Sequence, residues 1–146
     1  MATRIHEIIA ASIAVKQEIL ANEALQHTVQ QIVDATVKAF QSGHKVMFCG
    51  NGGSAADAQH LAAEFSGRFY KNRKALPSDA LHCNSSYVTA VANDYSYDDI
   101  YSRLVDGTME KGDVLVGIST SGNSPNIVKA FETARAKGIT TVGFTG

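Results

Sequence analysis

The sequence has almost no net charge. Its 146 residues include 13 Lys and Arg against 14 Asp and Glu. Proteins that bind nucleic acid concentrate positive charge on one surface, and this chain has no such excess. Its aromatic and basic residues are not interleaved as single-stranded nucleic acid requires. We therefore expect no nucleic-acid partner.

Cysteines and long apolar runs are also scarce. The only cysteines, Cys49 and Cys83, each lie near the end of an apolar run, which is typical of reduced core residues in an intracellular protein. No apolar run reaches the ~18 residues of a membrane span. Glu7 interrupts the N-terminal segment where a signal peptide would be apolar. These absences predict a cytoplasmic protein with no membrane partner.

Apolar residues recur at two different spacings along the chain. Residues 5–20 and 25–40 carry them at helical spacing. Short apolar runs typical of buried strands alternate with further predicted helices. The strands are predicted at 45–49, 80–83, 113–118 and 140–144, the helices at 55–69 and 125–137, and helix or turn at 87–109. This alternation predicts an α/β fold with a doubly wound parallel sheet, whose ligands lie at the carboxyl ends of the strands.

The pattern predicts a single domain over residues 1–146. Residues 1–44 form two N-terminal helices that are too apolar to stay solvated and are expected to pack in an oligomer. Residues 45–146 form the sheet core. Gly146 follows a predicted strand that a parallel sheet would cover with a helix, so we expect a C-terminal strand and helix to be missing, or another copy to close the sheet.

The segment ISTSGNSP, residues 118–125, can bind a phosphate. Ser124 is expected at the N-cap of the following helix and Pro125 at its first position. Free amides and the positive end of the helix dipole then point into the loop. The hydroxyls that would donate to phosphate oxygens are those of Ser119, Thr120, Ser121 and Ser124. Any one of them could instead face water in a capped turn.

A second strand-to-helix turn, GNGGS at residues 50–54, has glycines that permit a tight turn. Ser54 and Asp57 are spaced like a capping box, so Ser54 is either a plain N-cap or a ligand contact. Ala55 stands where a dinucleotide fingerprint needs its third glycine. The 118–125 loop lacks the P-loop lysine. We therefore expect no nucleotide cofactor.

The helix after this turn places His60, Glu64 and Arg68 at steps of four along one face. Ala58, Leu61, Ala62, Phe65 and Phe69 are predicted to form its core stripe. The polar stripe is either a solvated row of ion pairs or a site for proton transfer and paired metal ligands. Asn93 and Asp94, taken alone, indicate a turn.

Three segments together resemble a known family. These are CGNGGSAADAQHLAAEFSGRF at 49–69, AND at 92–94 and GDVLVGISTSGNSPNIVKAF at 112–131. They resemble the sugar isomerase (SIS) domain, which has a flavodoxin-like fold, and within it the bacterial phosphoheptose isomerases. The resemblance implies isomerisation of sedoheptulose 7-phosphate to D-glycero-D-manno-heptose 7-phosphate through an enediol, for the heptose of lipopolysaccharide.

The resemblance also implies roles for individual residues. The substrate phosphate would lie on Ser119, Thr120, Ser121 and Ser124. Asn51, Gly52, Gly53 and Ser54 would line the same pocket, and Arg68, Asn93 and Asp94 would lie near the sugar. Glu64 would be the base that removes the proton beside the carbonyl. The family's C-terminal glutamine and catalytic histidine have no counterpart before Gly146, which makes the activity of this stretch alone uncertain.

Some family members bind zinc, and the resemblance implies His60 and Glu64 as two of its ligands. Zinc would polarise the carbonyl or hold the enediolate oxygens. It normally needs three or four ligands, so this pair is half a site. The family further implies a homotetramer with pockets at subunit interfaces.

Two non-catalytic functions compete with the isomerase. One is a tetrameric SIS regulator that binds the bacterial replication initiator, and the other is a module that senses a sugar phosphate. A regulator would lose the helix carboxylate and a sensor would not need it. The presence of Glu64 beside His60 favours the enzyme.

Overall fold

The fold is described from a computed structural model, which covers residues 3–146. The described residues form two compact units, one up to Asp34 and one from Ala35 to Gly146. The helices are α1 (Arg4–Ala21), α2 (Glu23–Gln41), α3 (Gly53–Ser66), α4 (Ser85–Asp94), α5 (Ile100–Thr108) and α6 (Pro125–Ala136). The strands are β1 (Val46–Gly50), β2 (Ser78–Ala80), β3 (Val114–Ser119) and β4 (Thr140–Thr145). A short 3-10 helix spans Tyr97–Asp99.

The first unit consists of α1 and most of α2, as the helical spacing predicts. Thr3 caps α1 by accepting from the His6 amide, and Asn22 accepts from the Leu25 amide at the start of α2. No residue of α1 is buried. Large apolar side chains remain exposed on this unit: Ile5, Ile8, Ile9, Ile13, Val15, Ile19, Leu20, Leu25, Val29 and Val33. None of the described helices is long and apolar enough to cross a bilayer.

The second unit is built on a four-stranded parallel sheet in the order β2-β1-β3-β4. The predicted α/β class and parallel sheet are therefore confirmed. In the central pair, Val46 lies opposite Val114 and Gly50 opposite Ile118. Both strands are rich in buried apolar residues, as expected for strands covered on two faces. The single-domain boundaries stay a prediction.

The predicted strand near residues 80–83 was misplaced. β2 runs over Ser78–Ala80, where it pairs with β1 through Val46 and Phe48. The apolar residues that suggested a later strand belong to the turn that follows. Cys83 lies in that turn and is exposed, so the prediction that it is a core residue was wrong, whereas Cys49 is fully buried.

The segment 87–109, predicted as helix or turn, lies in α4, the 3-10 helix and α5. α5 packs against α6 and places Tyr101 and Val105 in the main apolar core with Leu115 and Ile127. The Tyr101 hydroxyl donates to the Gly50 carbonyl at the end of β1. Burial raises the pKa of Tyr101, so the phenol stays protonated as this donor. The segment therefore supports the strand end where ligands are expected.

Asp113 anchors the opposite end of the sheet. Its carboxylate is fully buried and accepts from the Lys45 amide at 3.0 Å, the Glu110 amide at 2.9 Å and the Lys45 ammonium at 2.7 Å. Burial by itself would raise the pKa of Asp113, but these bonds to the charged form outweigh it and lower the pKa. The carboxylate thus joins the chain entering β1 to the chain entering β3.

Replacing Asp113 by Asn should lower the free energy of unfolding by about 3 kcal/mol at neutral pH, because the partly buried Lys45 ammonium loses the buried carboxylate that is its counter-charge. The folded-state pKa is depressed, so the carboxylate stabilises the fold above its ordinary pKa and loses this contribution as the pH falls through the folded value. The difference between wild type and variant should be constant above about pH 5 and shrink below about pH 4.

Urea unfolding at several pH values measures this difference. Asp106→Asn is the matched control, since Asp106 is exposed and pairs with Lys137 at the surface. An exposed pair contributes about 0–1 kcal/mol, so the control should change little. Equal effects of the two substitutions would contradict the role assigned to Asp113.

Candidate active site

Two strand-to-helix turns meet at the carboxyl edge of the sheet. β1 and β3 are neighbours in parallel register, so the residues that follow Gly50 and Ser119 emerge side by side. They enclose a cleft of about 220 Å³. Its lining residues are Asn51, Ser54, Ile118, Ser119, Thr120, Ser121 and Ser124. The structure thus brings together the four predicted phosphate hydroxyls and two residues of the GNGGS turn.

The GNGGS turn contains fewer residues than the sequence predicts, because the helix that follows it begins earlier. Gly52 occupies the N-cap position with φ +56°, a backbone conformation that favours glycine, and α3 begins at Gly53. Ser54 therefore lies inside the first helical turn, so the N-cap, one of the two roles left open for it, was wrong. Its partly buried side chain lines the cleft instead.

Gly50 is required by close packing within the same turn. A Cβ atom at this position would lie 2.4 Å from the Ser54 carbonyl oxygen and 2.6 Å from its carbon. No side chain fits there without moving the backbone of α3. The start of α3 consequently lies directly against the end of β1.

The serine loop begins α6 as predicted, with Ser124 at the N-cap and Pro125 at the first helical position. Ser124 makes no side-chain capping bond. Its hydroxyl lies 3.0 Å from that of buried Ser119, and its carbonyl accepts from the Ile127 and Val128 amides. The two hydroxyls therefore form a pair on the wall of the cleft rather than a standard helix cap.

The Ser121 hydroxyl accepts from the Asn123 amide at 3.2 Å, and the loop turns back through a bond from the Gly122 amide to the Ser119 carbonyl. Thr120 and Ser121 are exposed, whereas Ser119 and Ser124 are partly or fully buried. The loop thus offers hydroxyls of different depth at the positive end of the α6 dipole, which suits an anion with several oxygens.

His60 and Glu64 lie one turn apart on α3. The His60 Nε2 atom is 3.5 Å from a Glu64 carboxylate oxygen; the imidazole is 75% exposed and the carboxylate 30% exposed. His60 and Asp57 line a second cleft of about 340 Å³, which shares Ile118 with the first. Glu64 lines neither cleft and lies one turn farther along the helix.

Arg68 does not continue this row, so the predicted three-residue stripe was wrong. α3 ends at Ser66, and Arg68 lies exposed beyond the cap residue Gly67. The cause is Arg73, whose guanidinium donates to the Glu64 and Phe65 carbonyls, each at 2.8 Å. These bonds satisfy carbonyls that a longer helix would use.

The predicted core stripe of α3 is also only half right. Ala58 and Ala62 are buried, and Phe65 is partly buried against Phe40 and Phe48. Leu61 is 38% exposed, and Phe69 lies outside the helix at 59% exposure. The helical period was correct, but the helix ends before it reaches Phe69.

Asn93 and Asp94 are the last two residues of α4, so the turn prediction for them was wrong. Both are exposed, and the Asn93 amide donates to the Asp94 carboxylate at 2.9 Å. Like Arg68, they do not line the serine cleft. Their predicted contact with substrate stays a prediction.

Sequence reasoning missed Asn126, which is 2% exposed in the first turn of α6. Its side-chain amide exchanges two hydrogen bonds of 2.9 Å with that of Asn51. The Tyr97 hydroxyl also donates to Asn51 at 3.2 Å. An asparagine after Ser-Pro carries no local signal for such a contact, because its partner is 75 residues away.

Cys49, which precedes Gly50 at the end of β1, is fully buried and does not offer a reactive thiol to the cleft. Burial raises its pKa to about 12, so the thiol is protonated at neutral pH. The polar groups open to a ligand are thus hydroxyls, an amide, an imidazole and carboxylates. This set suits phosphate binding and proton transfer.

His60 and Glu64 are the two side chains that the resemblance implies as zinc ligands. Their facing atoms, 3.5 Å apart, have a separation that suits two ligands of one ion. Residues 3–146 contain no group of three or more His, Cys, Asp or Glu that could hold a metal. Within residues 3–146 the two side chains have no third candidate ligand beside them, and the zinc ligands implied by the resemblance stay a prediction.

Comparison with known proteins identifies the family. The SIS domain family model matches residues 8–146. The phosphoheptose isomerase of Clostridium acetobutylicum is 51% identical over 138 residues, covering 94% of this chain and 70% of the relative. The chain belongs to the phosphoheptose isomerases of the SIS domain family.

Solved structures agree with this assignment. The phosphoheptose isomerase of Neisseria gonorrhoeae superposes with a TM-score of 0.86 at 40% identity, covering 98% of this chain and 74% of the other. That of Francisella tularensis gives 0.87 at 32% identity, covering 99% and 76%. The fold and the enzyme class expected from the three sequence segments are confirmed, and the chain is an isomerase of this family.

Proposed function

We propose that the protein interconverts sedoheptulose 7-phosphate and D-glycero-D-manno-heptose 7-phosphate. The observation that carries the proposal is the cleft where four hydroxyls, Asn51 and Ser54 meet at the start of α6, without a nucleotide-binding lysine. Such a cleft binds a phosphate monoester through hydroxyls, amides and the helix dipole. The names of the relatives supply the substrate class.

The reaction moves two protons and needs no oxidant. Glu64 removes a proton from C1 of the ketose while the C2 carbonyl oxygen gains one, which gives the 1,2-enediol. The O1 hydroxyl then loses its proton and C2 receives one from Glu64, which leaves the aldose. A carboxylate that is partly buried on α3, one turn past His60, suits such a general base.

The same proposal includes zinc at His60 and Glu64. The remaining ligands would come from outside the described residues, since zinc takes three or four. When bound there, zinc would supply Lewis-acid polarisation of the substrate carbonyl. The residues of the chain would still bind the phosphate and move the proton.

We also propose that the protein assembles as a homotetramer. The first unit exposes an unusual number of large apolar side chains, and such surfaces usually become interfaces. Arg68, Asn93 and Asp94 are exposed and lie away from the serine cleft, so each is open to a pocket shared with another subunit. We further propose a cytoplasmic enzyme that supplies heptose for lipopolysaccharide, in keeping with its free cysteines.

Glu64→Gln should lower kcat by about 10²–10⁴-fold with a small change in KM, because the amide keeps the shape and cannot accept the proton. Turnover of sedoheptulose 7-phosphate by the full-length protein is followed by NMR. Glu132→Gln, an exposed glutamate on α6, is the control and should retain activity. Saturable binding of the sugar phosphate by wild type without turnover would support a sensor or regulator and overturn the isomerase.

His60→Ala should weaken zinc binding at least about tenfold, because zinc affinity depends on its few protein ligands. Isothermal titration with zinc measures this loss independently of activity. His27→Ala, an exposed histidine of α2, serves as the control. Equal affinities for all three proteins would contradict the proposed ligand.

The double substitution Ile9→Asp, Ile13→Asp should shift the tetramer to smaller species, because charges would then occupy an apolar interface. Sedimentation velocity gives the masses. Lys16→Asp on the same helix changes charge without removing apolar surface and should leave the tetramer intact. A monomeric wild type would refute the proposed assembly.

A further inference from the structure

The side-chain amides of Asn51, which lines the cleft, and of buried Asn126 form a closed pair. Each Nδ2 donates to the other's Oδ1 at 2.9 Å. Tyr97 adds a third bond to the Asn51 Oδ1. Both acceptor positions of that oxygen are therefore used, and the orientation of the Asn51 amide is set.

This pair joins the two halves of the site. Asn51 directly follows β1 and precedes α3, which begins at Gly53 and carries Glu64. Asn126 lies in the first turn of α6, directly after the serine loop. The amide pair is thus a side-chain bridge between the helix that holds the proposed base and the loop that holds the proposed phosphate site.

The bridge is part of a closed circuit of contacts. Tyr97, which donates to Asn51, belongs to the 3-10 helix that ends at Asp99. Asp99 accepts from the Lys129 ammonium at 2.8 Å, and Lys129 lies one turn after Asn126 on α6. The circuit runs from Asn51 to Asn126, along α6 to Lys129, and back through Asp99 and Tyr97. Such a circuit resists movement of one turn against the other.

We propose that Asn126 is a positioning residue of the isomerase, which through Asn51 holds the base-bearing helix at a set distance from the serine loop. The inference rests on the proposed function. Asn126 is too buried to meet the substrate itself. Phosphate binding needs only the hydroxyls and amides of the loop, whereas proton transfer also needs the substrate carbon to lie correctly against Glu64. The pair should therefore affect turnover more than phosphate binding.

The test uses Asn126→Leu, which keeps the approximate shape and removes both hydrogen bonds. A misplacement of about 1 Å can lower a rate about 100-fold, so we expect kcat to fall about 10- to 100-fold while the inhibition constant of inorganic phosphate changes less than about threefold. In an Asn51→Ala background, the same substitution should cause no further loss of kcat, because its partner is already absent.

A matched control separates positioning from loss of stability. Ile127→Val alters the next residue of α6, which is buried in the core and has no polar contact with the cleft. It should lower Tm and leave kcat unchanged, with both proteins assayed well below their Tm. Equal kcat losses in Ile127→Val and Asn126→Leu, or an additive loss in the double variant, would overturn the inference.

The outcomes distinguish this inference from the proposed function. A wild type that does not isomerise the sugar phosphate, whether or not it binds phosphate, overturns the proposed function and this inference with it. Wild-type turnover that survives Asn126→Leu overturns this inference alone. A parallel rise in the phosphate inhibition constant would also overturn it, since the pair would then shape the phosphate site itself.

Discussion

The parallel pairing of β1 with β3 is the constraint on which the site depends. Gly50 lies opposite Ile118 in this register, so both strands end at the same edge and release their turns side by side. The serine loop (residues 118–125) and the GNGGS turn (residues 50–54) are at least 64 residues apart in sequence and still enclose one cleft. Asp113 supports the pairing from the other end, where it accepts bonds from both chain entries.

Close packing of α3 on β1 and of α6 on β3 sets the positions of the two helices relative to the sheet. A side chain at Gly50 would clash with the backbone of α3, and a side chain at Gly117 would clash with Ile127 and Phe131 of α6. Both helices therefore begin near the sheet, with their N-terminal ends at the cleft. Tyr101 adds a buried donor to the Gly50 carbonyl, so the end of β1 is held from α5 as well. The dipoles and amides are arranged before a ligand arrives, which lowers the cost of binding it.

Family membership supports the enzyme class, and the chemistry of the cleft supports phosphate binding. The match to phosphoheptose isomerases makes the chain an isomerase of the SIS family. The cleft explains how such a chain can hold a phosphate with hydroxyls alone. Glu64 lies outside the cleft on the same helix as Ser54, so the chemistry depends on how α3 is placed relative to the serine loop. The Asn51–Asn126 pair is the contact suited to that placement.

The sequence by itself determined the α/β class, the serine loop and the position of Pro125, because strand periods, hydroxyl clusters and helix starts are local signals. Tertiary structure decided the rest. The bonds from Arg73 end α3 before Arg68. Gly52, not Ser54, is the N-cap residue of α3. Asn93 and Asp94 are the last residues of α4. Asn126 met Asn51 only because β1 and β3 are neighbours. Contacts between residues so distant in the chain leave no local pattern, so a single sequence does not reveal them.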